Sequence, residues 1–279
     1  MTLVTVTDLC VAYPTHGGGR SRRRASAPTR LAVQDVSFSL ARGEVLGIVG
    51  ESGSGKTSVA RCVAGYQTAT SGTVTLDGRP VTARRDQADR RRLQMVFQDP
   101  YSSLNPAMTL RQALREPIRV HGLRPADEVD QRVDELMTLV GLDHGHLDAK
   151  PRRLSGGQRQ RASIARALAL EPDVLVADEP VSALDVSVQA VILNLLAELR
   201  ETLGTSILFI SHDMAVVSHL CDRVAVMTEG RIVESGPVDE VFLRPQHAYT
   251  QQLLSAVPRH PWDDPAAPAS GARTPEPSQ

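Results

Sequence analysis

The chain has 279 residues, 41% of them hydrophobic and 23% charged, with a formal net charge of -1. This suffices for one large α/β domain with an embedded subdomain and a well-filled core, and it provides no overall attraction to nucleic acid or anionic lipid. No run of about eighteen apolar residues occurs, which excludes a membrane-spanning helix, and the first residues lack a basic region followed by an apolar core, so no secretory signal is expected.

In chain order, residues 3–13 and 32–40 are Val-rich and are predicted as strands. Residues 14–30 between them hold three consecutive glycines and Arg22, Arg23 and Arg24. No aromatic residues are interleaved there for stacking on bases, so a solvated, mobile loop is expected and a nucleic-acid patch is not. Tyr13 ends the first strand ahead of a glycine-rich loop, where its ring either stacks on a nucleotide base or is a half-buried core tyrosine.

The most informative stretch is Gly50-Glu51-Ser52-Gly53-Ser54-Gly55-Lys56-Thr57. It follows the apolar strand 45–49 and precedes Ser58, the start of a segment, 58–64, that continues as helix. Strand, glycine loop and helix are the context of a phosphate-binding loop, in which backbone amides and the positive end of the helix dipole face an anion. In such a loop Lys56 reaches the β- and γ-phosphates, and the Thr57 hydroxyl ligates Mg2+.

Residues 72–76 read as a strand entering a tight turn at Asp77-Gly78. The basic cluster 84–92 is expected on a short exposed helix, before a strand at 93–97 that ends at Gln98. From 105 to 153 apolar residues recur at helical spacing (Leu110, Ala113, Leu114; Val133, Leu136, Met137, Val140), punctuated by Pro117, Pro125, Gly141 and Pro151. This predicts a helical subdomain inserted in an α/β core. His144 and His146 within it are read as solvated, because a third metal ligand is lacking.

Ser155 is read as the N-cap of the helix over 159–170, and the doubled Gly156-Gly157 before Gln158 also permits close approach to a ligand. The strand 174–179 closes on Asp178 and Glu179. C-terminal ends of parallel strands face the ligand crevice, which suits Asp178 to hold Mg2+ and Glu179 to polarise an attacking water. Asp185 precedes the amphipathic helix 186–202, either as its cap or with a role at the site. The strand 206–210 leads to His212, placed to sense a γ-phosphate. A hairpin about Glu229-Gly230, two short helices over 239–256 and a disordered tail from 258 complete the chain. Cys10, Cys62 and Cys221 lack metal-ligand spacing and are read as buried reduced thiols, which suits a cytoplasm.

The phosphate loop, Leu154-Ser155-Gly156-Gly157-Gln158 and the strand ending at Asp178-Glu179 resemble, in that order, the ATP-binding subunits of ABC transporters. The resemblance implies a P-loop NTPase core of ABC type with an antiparallel β subdomain and an inserted helical subdomain (about 105–157), all within residues 1–258, followed by a disordered tail over 259–279. It makes Tyr13 the base-stacking aromatic, Gln98 the Q-loop glutamine, Ser182-Ala183-Leu184-Asp185 the D-loop and His212 the switch histidine. Every position needed for hydrolysis of ATP with Mg2+ carries the expected residue. The segments 95–106, 181–189 and 244–258 are similar to the oligopeptide, dipeptide and nickel importer class.

That likeness implies transmembrane permease subunits, a second ATP-binding subunit (identical or paralogous) and, indirectly, an extracellular solute-binding protein as partners, at the cytoplasmic face of the membrane. It implies a site split between two subunits, Ser155, Gly157 and Gln158 of one reaching nucleotide held by the other. Two departures occur: a long loop at 14–30, and Lys150-Pro151-Arg152-Arg153 where Tyr-Pro-His-Glu is usual. A soluble ATPase of the same superfamily, acting in DNA repair or translation, is the alternative; it predicts coiled-coil or zinc inserts, or two ATPase units per chain, and the sequence has neither.

Overall fold

The computed structural model describes residues 1–14, 29–82 and 87–255. Strands β1 (Thr2–Pro14), β2 (Thr29–Ala41) and β3 (Val45–Val49) lead to helix α1 (Lys56–Val63), then to β4 (Ser71–Leu76), β5 (Arg79–Pro80), α2 (Gln87–Arg92) and β6 (Leu93–Val96). Helices α3 (Leu110–Val120), α4 (Val129–Leu139) and α5 (Gly156–Leu168) follow. After them strands and helices alternate as β7 (Val174–Asp178), α6 (Val186–Leu203), β8 (Ser206–Ser211) and α7 (Met214–Leu220). The hairpin β9 (Arg223–Thr228) and β10 (Arg231–Pro237) precedes α8 (Val238–Leu243) and α9 (Ala248–Ser255).

Two sheets result, a six-stranded one in the order β10-β9-β3-β8-β7-β6 and a four-stranded one in the order β2-β1-β4-β5. The first is parallel from β9 to β6, with β10 antiparallel on its edge, and the second is antiparallel throughout. In β3 and β7 every residue is buried, as expected where both faces of a parallel sheet are covered. Alternate residues serve different cores. Val45, Val49, Leu175, Ala177, Ile207 and Phe209 pack with the helical layer, including Leu114, Leu136 and Leu196. Leu46, Ile48, Val174, Val176, Leu208 and Ile210 face α1 and the antiparallel sheet, including Val4, Val33 and Leu40.

The two sheets are also joined through backbone. At the β9–β10 turn Glu229 and Gly230 have φ of 47° and 82°, the pattern of a tight hairpin with both central residues left-handed. The Gly230 N–H donates to the Ser54 carbonyl at 3.0 Å, and the Gly230 carbonyl accepts from the Gln34 N–H at 2.8 Å. Asp77-Gly78 forms the same kind of turn, with φ of 48° and 74°.

The structure amends several expectations. The loop assigned to 14–30 is shorter, because Pro14 pairs with Thr29 and Tyr13 with Arg30 in the β1–β2 ladder; the remainder, 15–28, lies outside the described residues, as do 84–86 of the expected basic helix and the whole of the expected tail from 258. Pro117 does not break its helix, since α3 runs through it to Val120 with Ala113, Leu114 and Ile118 buried on either side. That burial outweighs the roughly 3 kcal/mol penalty of an internal proline. Cys62 and Cys221 are buried, and burial pushes the Cys62 thiol up to about 11 and the Cys221 thiol higher still. Cys10 is only half-buried: Leu9 and Val11 take the inward face of β1, which leaves the Cys10 thiol outward, donating to Asp35 Oδ1 at 3.3 Å.

Candidate nucleotide-binding site

Residues 50–55 link β3 to α1 and need their glycines for two reasons. Gly53 and Gly55 have φ of 84° and 108°, a region that side-chain-bearing residues seldom enter. A Cβ on Gly50 would lie 2.0 Å from the Met227 carbonyl oxygen, and one on Gly55 would lie 2.3 Å from that of Ala32. The loop is therefore drawn tight against β9 and β2. Gly55 occupies the N-cap of α1 without any side-chain cap, so the first-turn amides stay available to an anion.

Lys56 is 4% exposed and its Nζ donates to the carbonyls of Gly50 at 2.7 Å and Glu51 at 2.8 Å. Burial lowers its pKa; Glu179, Asp178 and Glu51 oppose that by favouring the charged form. Thr57 Oγ1 donates to Asp178 Oδ1 at 3.1 Å, and burial raises the Asp178 carboxyl above the ordinary range against that hydrogen bond. The Ser54 hydroxyl is buried inside the loop with no hydrogen-bond partner.

Glu179 follows β7 in the left-handed region at φ 47°, unusual for a residue with a Cβ. Its amide donates to the Ile210 carbonyl at 3.0 Å, which fixes the turn against β8. One carboxylate oxygen is 4.0 Å from Lys56 Nζ, and the other accepts from Gln98 Nε2 at 3.1 Å and lies 3.4 Å from His212 Nδ1. Gln98 Nε2 also reaches Ser182 Oγ at 3.4 Å, which leaves its carboxamide oxygen as the ligand atom. The ends of β3, β6, β7 and β8 thus bring Lys56, Gln98, Glu179 and His212 to one edge of the sheet.

A cavity of about 700 Å³ opens over the loop, lined by Ser52, Gly53, Gly55, Lys56, Thr57, Ser58, Gln98 and Glu179 on one side and by Tyr13, Arg30, Leu31, Ala32, Gln34, Glu229 and Gly230 on the other. Tyr13 is 41% exposed in its wall, so it is no core residue, and its hydroxyl donates to Gln67 Oε1 at 2.8 Å and lies 3.0 Å from Ser58 Oγ. Ser155, Gly156, Gly157, Gln158 and Asp185 are absent from this lining. Gly156 instead borders a separate cleft with Gln98, Tyr101, Arg159 and Leu184.

Ser155 caps α5 in a full capping box: its hydroxyl accepts from the Gln158 N–H at 3.2 Å, and Gln158 Oε1 accepts from the Ser155 N–H at 2.8 Å. Gln158 Nε2 then meets His146 Nε2 at 2.9 Å, so that ring nitrogen is the acceptor. His146 is thus engaged and half-buried, contrary to a solvated reading, and His144 pairs with Asp134 at 3.2 Å. Among the described residues no cluster suits a metal held by His, Cys, Asp and Glu alone. A Cβ on Gly157 would lie 2.4 Å from Val188 Cγ1, so this glycine seats α5 on α6. Asp185 stands at the N-cap of α6 but makes no capping bond with its side chain.

Sequence reasoning missed the wall residues of β2, because strand pairing and not local pattern delivers them. It also missed the capping box, although Ser-x-x-Gln at 155–158 spells it.

A glycine loop between strand and helix, faced by the next strand but one of the same sheet, which leads into two carboxylates, defines a P-loop nucleotide hydrolase. The family described as ABC transporter matches residues 33–182, and the one described as oligopeptide/dipeptide transporter, C-terminal region, matches 233–279. The chain belongs to the ABC transporter family, as its ATP-hydrolysing subunit.

Among its relatives, a peptide import ATP-binding protein of Brucella ovis is 49% identical over 229 residues, 81% of this chain and 72% of that one. The dipeptide transport ATP-binding protein DppF of Escherichia coli is 45% identical over 267 residues, 94% of this chain and 78% of that one. The glutathione import ATP-binding protein GsiA of Pectobacterium atrosepticum is 46% identical over 259 residues, and the match spans 41% of that longer protein. Of solved structures, a dimeric ATP-binding cassette in a post-hydrolysis state with ADP and Pi superposes with a TM-score of 0.72 at 27% identity, covering 85% of this chain and 99% of that one. CbiO1 from Clostridium perfringens, part of the transporter complex cbiONQ, gives 0.73 at 31% identity, covering 87% and 91%.

Proposed function

We propose that this chain powers import of short peptides, from dipeptides to oligopeptides, by hydrolysing ATP at a site it completes only with a second ATP-binding subunit. The observation that carries this is the separation of its two halves: the phosphate loop lines the large cavity with Gln98 and Glu179, whereas none of residues 155–158 does. The relatives named for peptide and dipeptide transport support the cargo, and the dimeric cassette supports the pairing.

In this reading residues 1–258 form one ATP-binding domain with a helical subdomain at about 105–157. Tyr13 stacks on the base, while the amides of Ser52, Gly53 and Gly55, with Lys56 and Ser58, hold the phosphates, and Gly50, Glu51 and Ser54 shape the loop around them, the Glu51 and Ser54 amides being engaged within the protein. Across the interface Ser155, Gly156, Gly157 and Gln158 contact the same nucleotide, and Asp185 lies on that interface. Thr57, Asp178 and Gln98 fit Mg2+ by their donor set of hydroxyl, carboxylate and carboxamide oxygens, and the buried Asp178, pushed toward protonation, suits a cation beside it. When held by these residues, the ion would supply charge neutralisation for the phosphates.

Glu179 accepts a proton from the attacking water, Gln98 holds its carboxylate and His212 stands beside it within 3.4 Å. Permease subunits receive the motion at the cytoplasmic face of the membrane, with the chain bound peripherally. Among the described residues no helix is long and apolar enough to cross a membrane.

A split site makes turnover second order in protein. Specific ATPase activity of the purified chain is expected to rise with its concentration, and activity that stays constant down to high dilution would reject the pairing. Purification from detergent-solubilised membranes is expected to bring down permease subunits and an extracellular protein that binds peptides. Recovery of ribosomes or DNA in their place would overturn transport, and a nickel-binding protein would overturn the peptide assignment.

A further inference from the structure

Helix α9, the last among the described residues, reaches the phosphate loop through the Tyr249 hydroxyl. Tyr249 is half-buried, its ring packed against the main hydrophobic cluster, and its hydroxyl accepts a hydrogen bond from the Glu51 N–H at 3.0 Å. The same Glu51 residue offers its carbonyl to Lys56 Nζ at 2.8 Å. A chain of two bonds therefore runs from α9 through one residue of the loop to the lysine at its base.

The far end of that chain is itself anchored. Glu234 of β10 accepts from the Gln246 N–H at 2.8 Å with one carboxylate oxygen and from the His247 N–H at 3.0 Å with the other. The Tyr249 N–H donates to His247 Nδ1 at 3.2 Å. Those backbone bonds hold the Glu234 carboxyl below its ordinary range in spite of burial. The first turn of α9 is thereby pinned to the sheet edge, and the tyrosine has little freedom to follow a moving loop.

We infer that Tyr249 is a positioning residue for ATP binding: it fixes the Glu51 peptide, which in turn sets the height of Lys56 under the phosphates. This rests on the phosphate-loop reading above. An amide held by a rigid hydroxyl keeps the loop in the conformation that Gly53 and Gly55 permit, so the ordering cost of binding is already met before nucleotide arrives. A functional consequence is that the segment beyond β10, which carries its own family signature, bears directly on nucleotide affinity.

The test is Tyr249→Phe in the full chain, which removes the hydroxyl and keeps the ring. Loss of one such bond, with an N–H left unpaired, corresponds to roughly a fivefold change in affinity. The Kd for a fluorescent ATP analogue with Mg2+ and the KM for ATP are expected to rise about fivefold while kcat stays within twofold. Hydrogen exchange at the Glu51 amide is expected to speed up with β3 unaffected. Unchanged exchange at Glu51, or unchanged affinity alongside faster exchange, overturns the inference.

If the variant melts earlier, the exchange comparison still decides, because a general loosening quickens β3 as well and overturns a local role. Lys56→Ala separates the two claims: if it leaves nucleotide binding intact, the phosphate-loop reading fails; if it abolishes binding while Tyr249→Phe changes nothing, only the tyrosine's role fails.

Discussion

Glu179→Gln is expected to lower ATP hydrolysis by roughly 10²- to 10⁴-fold, the range for removing a general base, while nucleotide affinity changes only a few-fold. The substitution is nearly isosteric and meets the same left-handed backbone, since glutamine tolerates a φ of 47° no worse than glutamate. It leaves a carboxamide within reach of Gln98 and His212, so the local packing survives. What it removes is the capacity to take a proton from water. Single-turnover hydrolysis alongside equilibrium binding separates the effects, and near-normal turnover would eliminate Glu179 as the base.

Lys56→Ala is expected to act on the other half of the cycle. Its ammonium is buried, and two backbone carbonyls hold it at 2.7 and 2.8 Å, aimed from beneath the loop. Charge-assisted contacts to phosphate are worth roughly 1.5–3 kcal/mol each. Losing them, together with the bonds that brace residues 50 and 51, predicts at least about a hundredfold weaker ATP binding, with hydrolysis lost as a result. Titration of a fluorescent nucleotide checks this, and an affinity within a few-fold of the parent would remove the phosphate cradle from the account.

How far the site could be read from the chain depended on whether its chemistry is written locally. Gly50 to Thr57 and Asp178-Glu179 are short runs whose residue types together suit a phosphate and a cation, and both stand at strand ends as their apolar lead-ins indicate. The Asp77-Gly78 and Glu229-Gly230 turns were legible because few residues accept two consecutive positive φ angles.

Long-range partnerships were not legible. Arg30 and Leu31 line the cavity because β2 pairs with β1 beyond the predicted strand, as far as Pro14 and Thr29. Tyr249 meets Glu51 across 198 positions of sequence, and nothing near either residue announces the other. His146 looked like an ordinary loop histidine until the capping box turned the amide of Gln158 toward it. Asp185 had two readings on sequence; it stands at the N-cap position of α6, and its side chain makes no cap bond.

The Gly230 peptide, shared between Ser54 and Gln34, has a mechanical meaning for the working cycle. The N–H and the carbonyl of Gly230 lie in the two peptide units that meet at one Cα, so floor and wall of the cavity are tied to a single residue, and the wall cannot part from the floor without breaking one of two backbone hydrogen bonds.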